Sequence, residues 1–289
     1  MPQERLTFLA DPQMEGARLV MGLSGWMDGG EVSTGLIRTL RRKLRAKPLA
    51  EMDSEDFYIL NFPGSMEISS LFRPHVKIAD GMVTVFEPPS NTFYYSQAGN
   101  VVLFSGKEPN LKWSEYCGSI FEVCTRFDVS VVYFVGSVAG LVPHTREPRL
   151  FSSVSDESLK PALEKMGIRF SNYEGPGSIV TYLTRLASNR GVKLATLIAE
   201  IPAYVQGRNH RCIEAVARRL AGILNIQINL DDLRMLGDKV EAKLDEIVER
   251  NEELAQRIHE LEHDYDNDVF DTQMGDLKAW LEQQGIRLD

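Results

Sequence analysis

The sequence predicts an α/β protein: a mixed or mainly parallel sheet sandwiched between helices, followed by a long helical C-terminal tail. Three observations carry that prediction. Strand-like and helix-like runs alternate through the first 229 residues, as βαβ units do. Two of the strands, at residues 129–135 and 194–199, are almost continuously apolar, as strands covered on both faces are. Between residues 240 and 265 apolar side chains recur at steps of three and four, the spacing of a helix.

The elements follow in order. Residues 18–24 (Arg-Leu-Val-Met-Gly-Leu-Ser) read as the first strand, and Gly25-Trp26-Met27-Asp28-Gly29-Gly30 as a glycine-rich turn. A helix over residues 31–44 points Leu36, Ile37, Leu40 and Leu44 inward. Residues 56–62, 75–80 and 82–87 read as short strands, the last two hinged at Asp80-Gly81, a hairpin signal. A buried strand at 101–105 precedes a helix over about 111–127. The strand at 129–135 ends in the small-residue loop Gly136-Ser137-Val138-Ala139-Gly140. A short helix at 159–166 leads to Ile168-Arg169-Phe170. After the turn cluster Glu174-Gly175-Pro176-Gly177-Ser178, Ile179, Tyr182, Leu183, Leu186 and Ala187 recur at helical spacing until Gly191. The strand at 194–199 then opens into residues 200–207, and a helix follows with Ile213, Val216, Ala217, Leu220 and Leu224 on one face.

The tail differs in kind. Val240, Leu244, Ile247, Leu254, Ile258, Leu261 and Tyr265 form a seam, with Asn251 in it as a polar residue that sets register. A break is expected at Asp266-Asn267-Asp268, before a last short helix with Leu277, Trp280 and Leu281. The expected organisation is an α/β core over 1–229 and an acidic helical extension over 230–289. Leu244, Asn251, Leu254, Ile258 and Leu261 are its candidate contact residues, and a homo-oligomer is the expected consequence.

Composition bounds the function. With 43% apolar and 25% charged residues in 289, the chain reads as an ordinary soluble protein with enough length for a large core. Cys117, Cys124 and Cys212 form no C-x-x-C motif and cannot pair completely, which points to reducing cytoplasm. Met1-Pro2-Gln3-Glu4-Arg5 lacks the basic and apolar regions of a signal peptide, and no run suits a bilayer span, so no membrane is expected. From Leu230 onward 18 Asp/Glu stand against 7 Lys/Arg, which leaves the first 229 residues near +2 of a total of −9. No basic stripe interleaved with aromatics suggests nucleic acid. The patch of Arg38, Arg41, Arg42, Lys43 and Arg45 reads as a solvated helix face.

Motifs for chemistry are few. His259-Glu260-Leu261-Glu262-His263 matches H-E-x-x-H, but Leu261 belongs to the seam, so both imidazoles flank it toward solvent without a third ligand. Asp264, Asp266, Asp268 and Asp271 lack the glycine and bidentate Glu of a calcium loop. No metal and no cofactor are therefore expected. The glycine turn after the first strand has neither Rossmann nor P-loop spacing, and no G-x-S-x-G elbow exists. Ser137 with His144 and a carboxylate forms a triad only on paper. The stronger cluster is spatial: loops after parallel strands gather on one sheet edge, where ligands bind in open α/β folds. That edge would collect Trp26, Asp28, Ser137, Glu200, Tyr204, Arg208 and His210. Each also has a structural reading, with Trp26 and Tyr204 capping the core and Asp28 or Asn209 capping a helix.

The same stretches carry a resemblance. Residues 19–44, with Gly-Trp-Met-Asp-Gly-Gly, resemble the opening strand and turn of the bacterial, actinobacterial-type branch of the proteasome assembly chaperone 2 family. Residues 175–190 resemble its glycine-led helix. Ile201-Pro202-Ala203-Tyr204-Val205 is similar to its Pro-His-Tyr turn, with Ala203 in place of histidine, and residues 211–233 are similar to its closing helix. Leu261-Glu262-His263-Asp264-Tyr265-Asp266 resembles its Leu-Glu-x-x-Tyr-Asp tail. The resemblance implies a three-layer α/β/α core similar to purine nucleoside phosphorylases. It also implies a family whose eukaryotic and archaeal members are assembly chaperones, while some bacterial members carry a carboxylate–amine ligase label. Those chaperones dock on the proteasome through a C-terminal hydrophobic–Tyr–any tripeptide. This sequence ends Arg287-Leu288-Asp289, so proteasome docking by that route is not expected. Ala203 likewise removes an imidazole that a family-wide catalytic role would use. Two readings stay open: a non-enzymatic, assembly-chaperone-like interaction protein with a protein partner or itself, and a nucleoside- or nucleotide-type binder or enzyme using the strand-end edge.

Overall fold

Period-two alternation along the central strands divides the interior into two cores, one on each sheet face. In β2 (Ala17–Ser24), Leu19, Met21 and Leu23 enter one core and Val20 the other. In β7 (Val101–Lys107), Val102 and Phe104 oppose Val101 and Leu103 in the same way. β8 (Val129–Gly140) sends Val132 and Phe134 to the first core, and Tyr133 and Val135 to the second. The computed structural model describes residues 5–283, with side chains through residue 268. The expectations on Met1 to Glu4 and on Arg287-Leu288-Asp289 lie outside the described residues, as do the side chains of Asp271, Leu277, Trp280 and Leu281.

The remaining strands are β1 (Leu6–Phe8), β3 (Lys47–Met52), β4 (His75–Ala79), β5 (Met82–Glu87), β6 (Asn91–Ser96), β9 (Leu150–Ser152), β10 (Arg169–Phe170) and β11 (Lys193–Pro202). Nine strands form one mixed sheet in the order β1-β3-β6-β7-β2-β8-β11-β9-β10, and β4 and β5 form a separate hairpin. Its centre, β7-β2-β8-β11, is parallel. Helices α3 (Trp113–Arg126) and α5 (Ile179–Ala187) cover the first core, while α1 (Val32–Lys43) and α6 (His210–Leu224) cover the second; α2 (Met66–Ser70) and α4 (Lys160–Glu164) are short. The protein is thus a three-layer α/β/α structure.

Several details differ from the sequence expectation. Residues 56–62 form no strand: Asp56 turns through a left-handed φ of 72° and buries Phe57 from an irregular segment. β3 escaped the reading because Pro48 and a register shift break its pattern, and the three-residue strands β1 and β9 are too short to show a period. β8 and β11 run on to Gly140 and Pro202, so Ser137 and Glu200 lie inside strands and not in loops.

The tail is two helices, α7 (Asp231–Glu249) and α8 (Glu252–Gln283). The break falls at Arg250-Asn251, and Asn251 is no seam residue. Its Oδ1 accepts the Leu254 N–H at 3.1 Å, as an N-cap does. The expected break at Asp266-Asn267-Asp268 is absent. There Asp266 pairs with Arg146, and Asp268 with Arg149 and Arg169, partners that lie far away in sequence and offset the weak helix propensity of Asp.

Candidate functional site

The parallel strands place their C-terminal ends on one edge, and backbone bonds stitch the segments there together. Asn110 and Leu111 donate to the Phe57 carbonyl, and the Trp26 N–H donates to Glu108 Oε2 at 3.0 Å. Asp28 bridges Ser137, and the Ala203 N–H donates to the Gly140 carbonyl. Most of the candidate polar groups on this edge are occupied by structural bonds. Asp28 accepts the Thr34 N–H and the Thr34 hydroxyl at 3.1 and 2.8 Å, which is the helix-capping reading. Burial nevertheless holds its carboxyl above the ordinary range against these bonds. Ser137 donates its hydroxyl to the Gly29 carbonyl at 2.5 Å. A Cβ on Gly29 would stand 2.9 Å from Ile201 Cδ1, so this glycine serves close backbone packing. Arg208 holds Glu31 through Nε and Nη2 at 3.0 and 2.7 Å, and this bond, with that of Arg38, keeps the Glu31 carboxyl low.

The edge divides the candidates into two groups. Asp28, Ser137 and the Glu31–Arg208 pair surround the glycine turn. Glu200 lies apart, with His210, in a small cavity between residues 142–148, the start of α6, and α7. Its wall includes His144, Glu200, His210, Arg211, Gly237 and Leu244, and its volume is about 40 Å³. At roughly 10–15 Å³ for each water, that is room for a few waters and not for a nucleoside. Burial raises the Glu200 carboxyl, against the attraction of Arg149 at 3.5 Å. His210 Nδ1 is buried without a hydrogen-bond partner among the described residues, and burial first lowers its pKa.

Ser137 and His144 form no triad. His144 Nδ1 faces the Tyr204 hydroxyl at 2.8 Å, and its Nε2 faces Asp245 Oδ1 of α7 at 3.2 Å. Tyr204 Oη also accepts the His144 N–H. With Nε2–H donating to Asp245, Nδ1 is left to accept from Tyr204, so the three groups tie the turn after β11 to the tail. Trp26 does not cap the core; it stands 60% exposed. Leu141 and Tyr204, beyond the C-terminal ends of β8 and β11, are also exposed, at 81% and 38%.

The residues that sequence reasoning missed are those that hold the tail. Thr145 donates to Glu262, and Arg146 grips Asp266 through two bonds of 2.9 Å. The Arg149 guanidinium lies 4.3 Å from the Tyr265 ring centre, and the Tyr265 hydroxyl donates to the Glu147 carbonyl at 2.7 Å. Ile258 is buried, Leu244 lines the cavity, and Leu254 and Leu261 are half-buried. His259 and His263 point to solvent, and no group of three metal-ligating side chains occurs among the described residues. Only the run of acids against Arg146, Arg149 and Arg169 hinted at this docking.

Fold and edge define a class: an α/β/α protein whose strand-end edge is partly covered by its own C-terminal helices. The profile of the PAC2 family matches residues 22–248, and the chain belongs to that family. No curated protein matches it. Among solved structures it is similar to Rv2714 of Mycobacterium tuberculosis, a protein of unknown function. That likeness has 21% identity and a TM-score of 0.82, over 96% of this chain and 94% of that one. The M. tuberculosis proteasome-assembly chaperone homologue Rv2125 is 24% identical, with a TM-score of 0.73 over 83% of this chain and 99% of that one. The archaeal proteasome activator PbaB of Pyrococcus furiosus is 20% identical, with a TM-score of 0.64 over 84% and 97%.

Proposed function

We propose that this protein acts through protein contact and not catalysis, as an assembly-chaperone-like member of the PAC2 family that offers its strand-end edge to a protein partner. One observation carries the reading. On that edge the polar candidates Asp28, Ser137 and Arg208 are spent on the protein's own backbone and side chains, while Trp26 and Leu141 stand in water. An exposed Trp is the kind of anchor that a partner's pocket takes up, since Trp and Tyr are enriched among the few residues that carry most of an interface's energy. An exposed Leu beside such an anchor adds apolar area. The cavity beside Glu200 is too small for a nucleoside, which supports the same choice. Homologues described as a proteasome-assembly chaperone homologue and a proteasome activator agree with it in kind. Among the described residues no helix is long and apolar enough to cross a membrane.

The test has two arms. Partners captured on the full chain are purified and titrated back by calorimetry against wild type, Trp26→Ala and Leu141→Asp. Each substitution should weaken the binding at least tenfold. In the second arm, nucleosides and nucleotides are screened by thermal shift. A saturable stabilisation that Glu200→Gln abolishes would overturn the reading in favour of a small-molecule site.

A further inference from the structure

The two tail helices are held differently. α7 has packing to hold it: Leu233 is buried, and Gly237 lies so close to α6 that a Cβ there would stand 3.4 Å from the Arg211 nitrogen. α8 starts beyond the joint Arg250-Asn251, and Ile258 is its one buried apolar side chain among the described residues. Its following turns are held by charge. Between Glu262 and Asp268, four ion pairs of 2.5–3.2 Å reach Arg146, Arg149 and Arg169. The Tyr265 ring lies under the Arg149 guanidinium between these carboxylates. The arginines belong to the β8–β9 connection and to β10, so they are the fixed half of the contact.

The resident carboxylates do not exhaust Arg149. Its Nη1 lies 2.5 Å from Asp268 Oδ2. Its Nε is buried 3.5 Å from Glu200 Oε2 and makes no hydrogen bond among the described residues. A carboxylate that took Nε and a terminal nitrogen together would match the guanidinium fork better than Asp268 does.

We propose that α8 is a releasable strap over an arginine groove, and that an acidic, tyrosine-bearing segment of a protein partner is the groove's other occupant. α8 lifts about Arg250-Asn251 while α7 stays packed, and the incoming carboxylates take over Arg146, Arg149 and Arg169. The resident segment defines that chemistry, because it shows what the three arginines accept: carboxylates about one helical turn apart with an aromatic ring between them. Partly exposed pairs are each weak and screened by salt, so a strap held by four of them opens readily. The groove shares the β8–β9 connection with the exposed Leu141, so the strap sets how much of the strand-end edge a partner meets. Only the identity of the occupant rests on the protein-contact reading; the strap itself is measured without a partner.

Hydrogen exchange of the full chain tests the strap. Amides of residues 252–268 should exchange at least tenfold faster in about 1 M salt than in about 50 mM, while those of α6 and β8 stay unchanged. Asp266→Asn with Asp268→Asn should bring the fast exchange at low salt; these side chains are 54% and 46% exposed, so the fold should survive. Arg146→Gln with Arg149→Gln reads the same contact from the other side. For the groove, a labelled peptide with the sequence of residues 252–268 is titrated onto the full chain. It should bind the Asp266/Asp268 variant at least tenfold more tightly than the wild type, where the tethered strap competes. It should not bind the variant that also carries both arginine substitutions. Exchange of α8 that neither salt nor the latch substitutions alter would overturn the strap. Peptide binding that survives loss of the arginines, or an oligodeoxynucleotide of equal charge binding the opened variant as tightly, would overturn the acidic-peptide groove.

Discussion

Shortening the chain from its C-terminus gives a graded measure of how the tail is held. A chain ending at Glu249 keeps α7 and loses α8 with the buried Ile258; one ending at Asp232 also loses the buried Leu233. Burying one such side chain is worth about 1.5–3 kcal/mol. The first truncation should therefore cost about 1.5–3 kcal/mol and the second about 3–6 kcal/mol. The exposed ion pairs of the tail add little, because solvent screens them. A domain this size has roughly 5–15 kcal/mol in all, so both chains should still fold, the shorter one marginally. Urea unfolding followed by dichroism at 222 nm measures both losses. A loss under about 1 kcal/mol in both chains would refute the docking of the tail on the core. An insoluble or non-cooperative chain ending at Asp232 would refute a self-sufficient core over residues 1–229.

Three further outcomes follow. Gly22→Ala should destabilise by about 1–3 kcal/mol in urea unfolding, because the new Cβ would stand 2.7 Å from the Ser33 carbonyl oxygen and from Ile37 Cγ1. For Asp28 the folded carboxyl is held above its ordinary value of 3.8, so its contribution is fully present below that value and is lost as pH rises through the folded pKa. Asp28→Asn should accordingly gain on the wild type as pH rises from 3.5 through the region above 3.8, as pH-dependent unfolding would show. Replacing His259 and His263 by Gln should leave both stability and bound metal unchanged, since their side chains are 83% and 71% exposed. Stoichiometric zinc lost in that double variant, by elemental analysis, would contradict this.

What the sequence determined by itself was whatever rests on local periodicity and turn chemistry. The parallel centre of the sheet was legible because doubly covered strands are continuously apolar. The helices at α1, α5 and α6 were legible because their buried faces repeat at helical spacing. The hairpin at Asp80-Gly81 was legible from its turn, and the capping roles of Asp28 and Asn209 from residue type. The strand-end edge was legible as a place, because parallel strands must end together.

Tertiary structure alone decided where the polar groups on that edge go. Asp28 and Ser137 carry reactive side chains in the sequence, yet each is used up by a neighbour brought close only by folding. It decided the tail too. Asn251 looked like a seam residue because a heptad count does not reveal a helix end, whereas a side chain that accepts its own third-following N–H does. Asp266 and Asp268 looked like a break because helix propensity is local, and it was overridden by arginines more than 90 residues away in the chain.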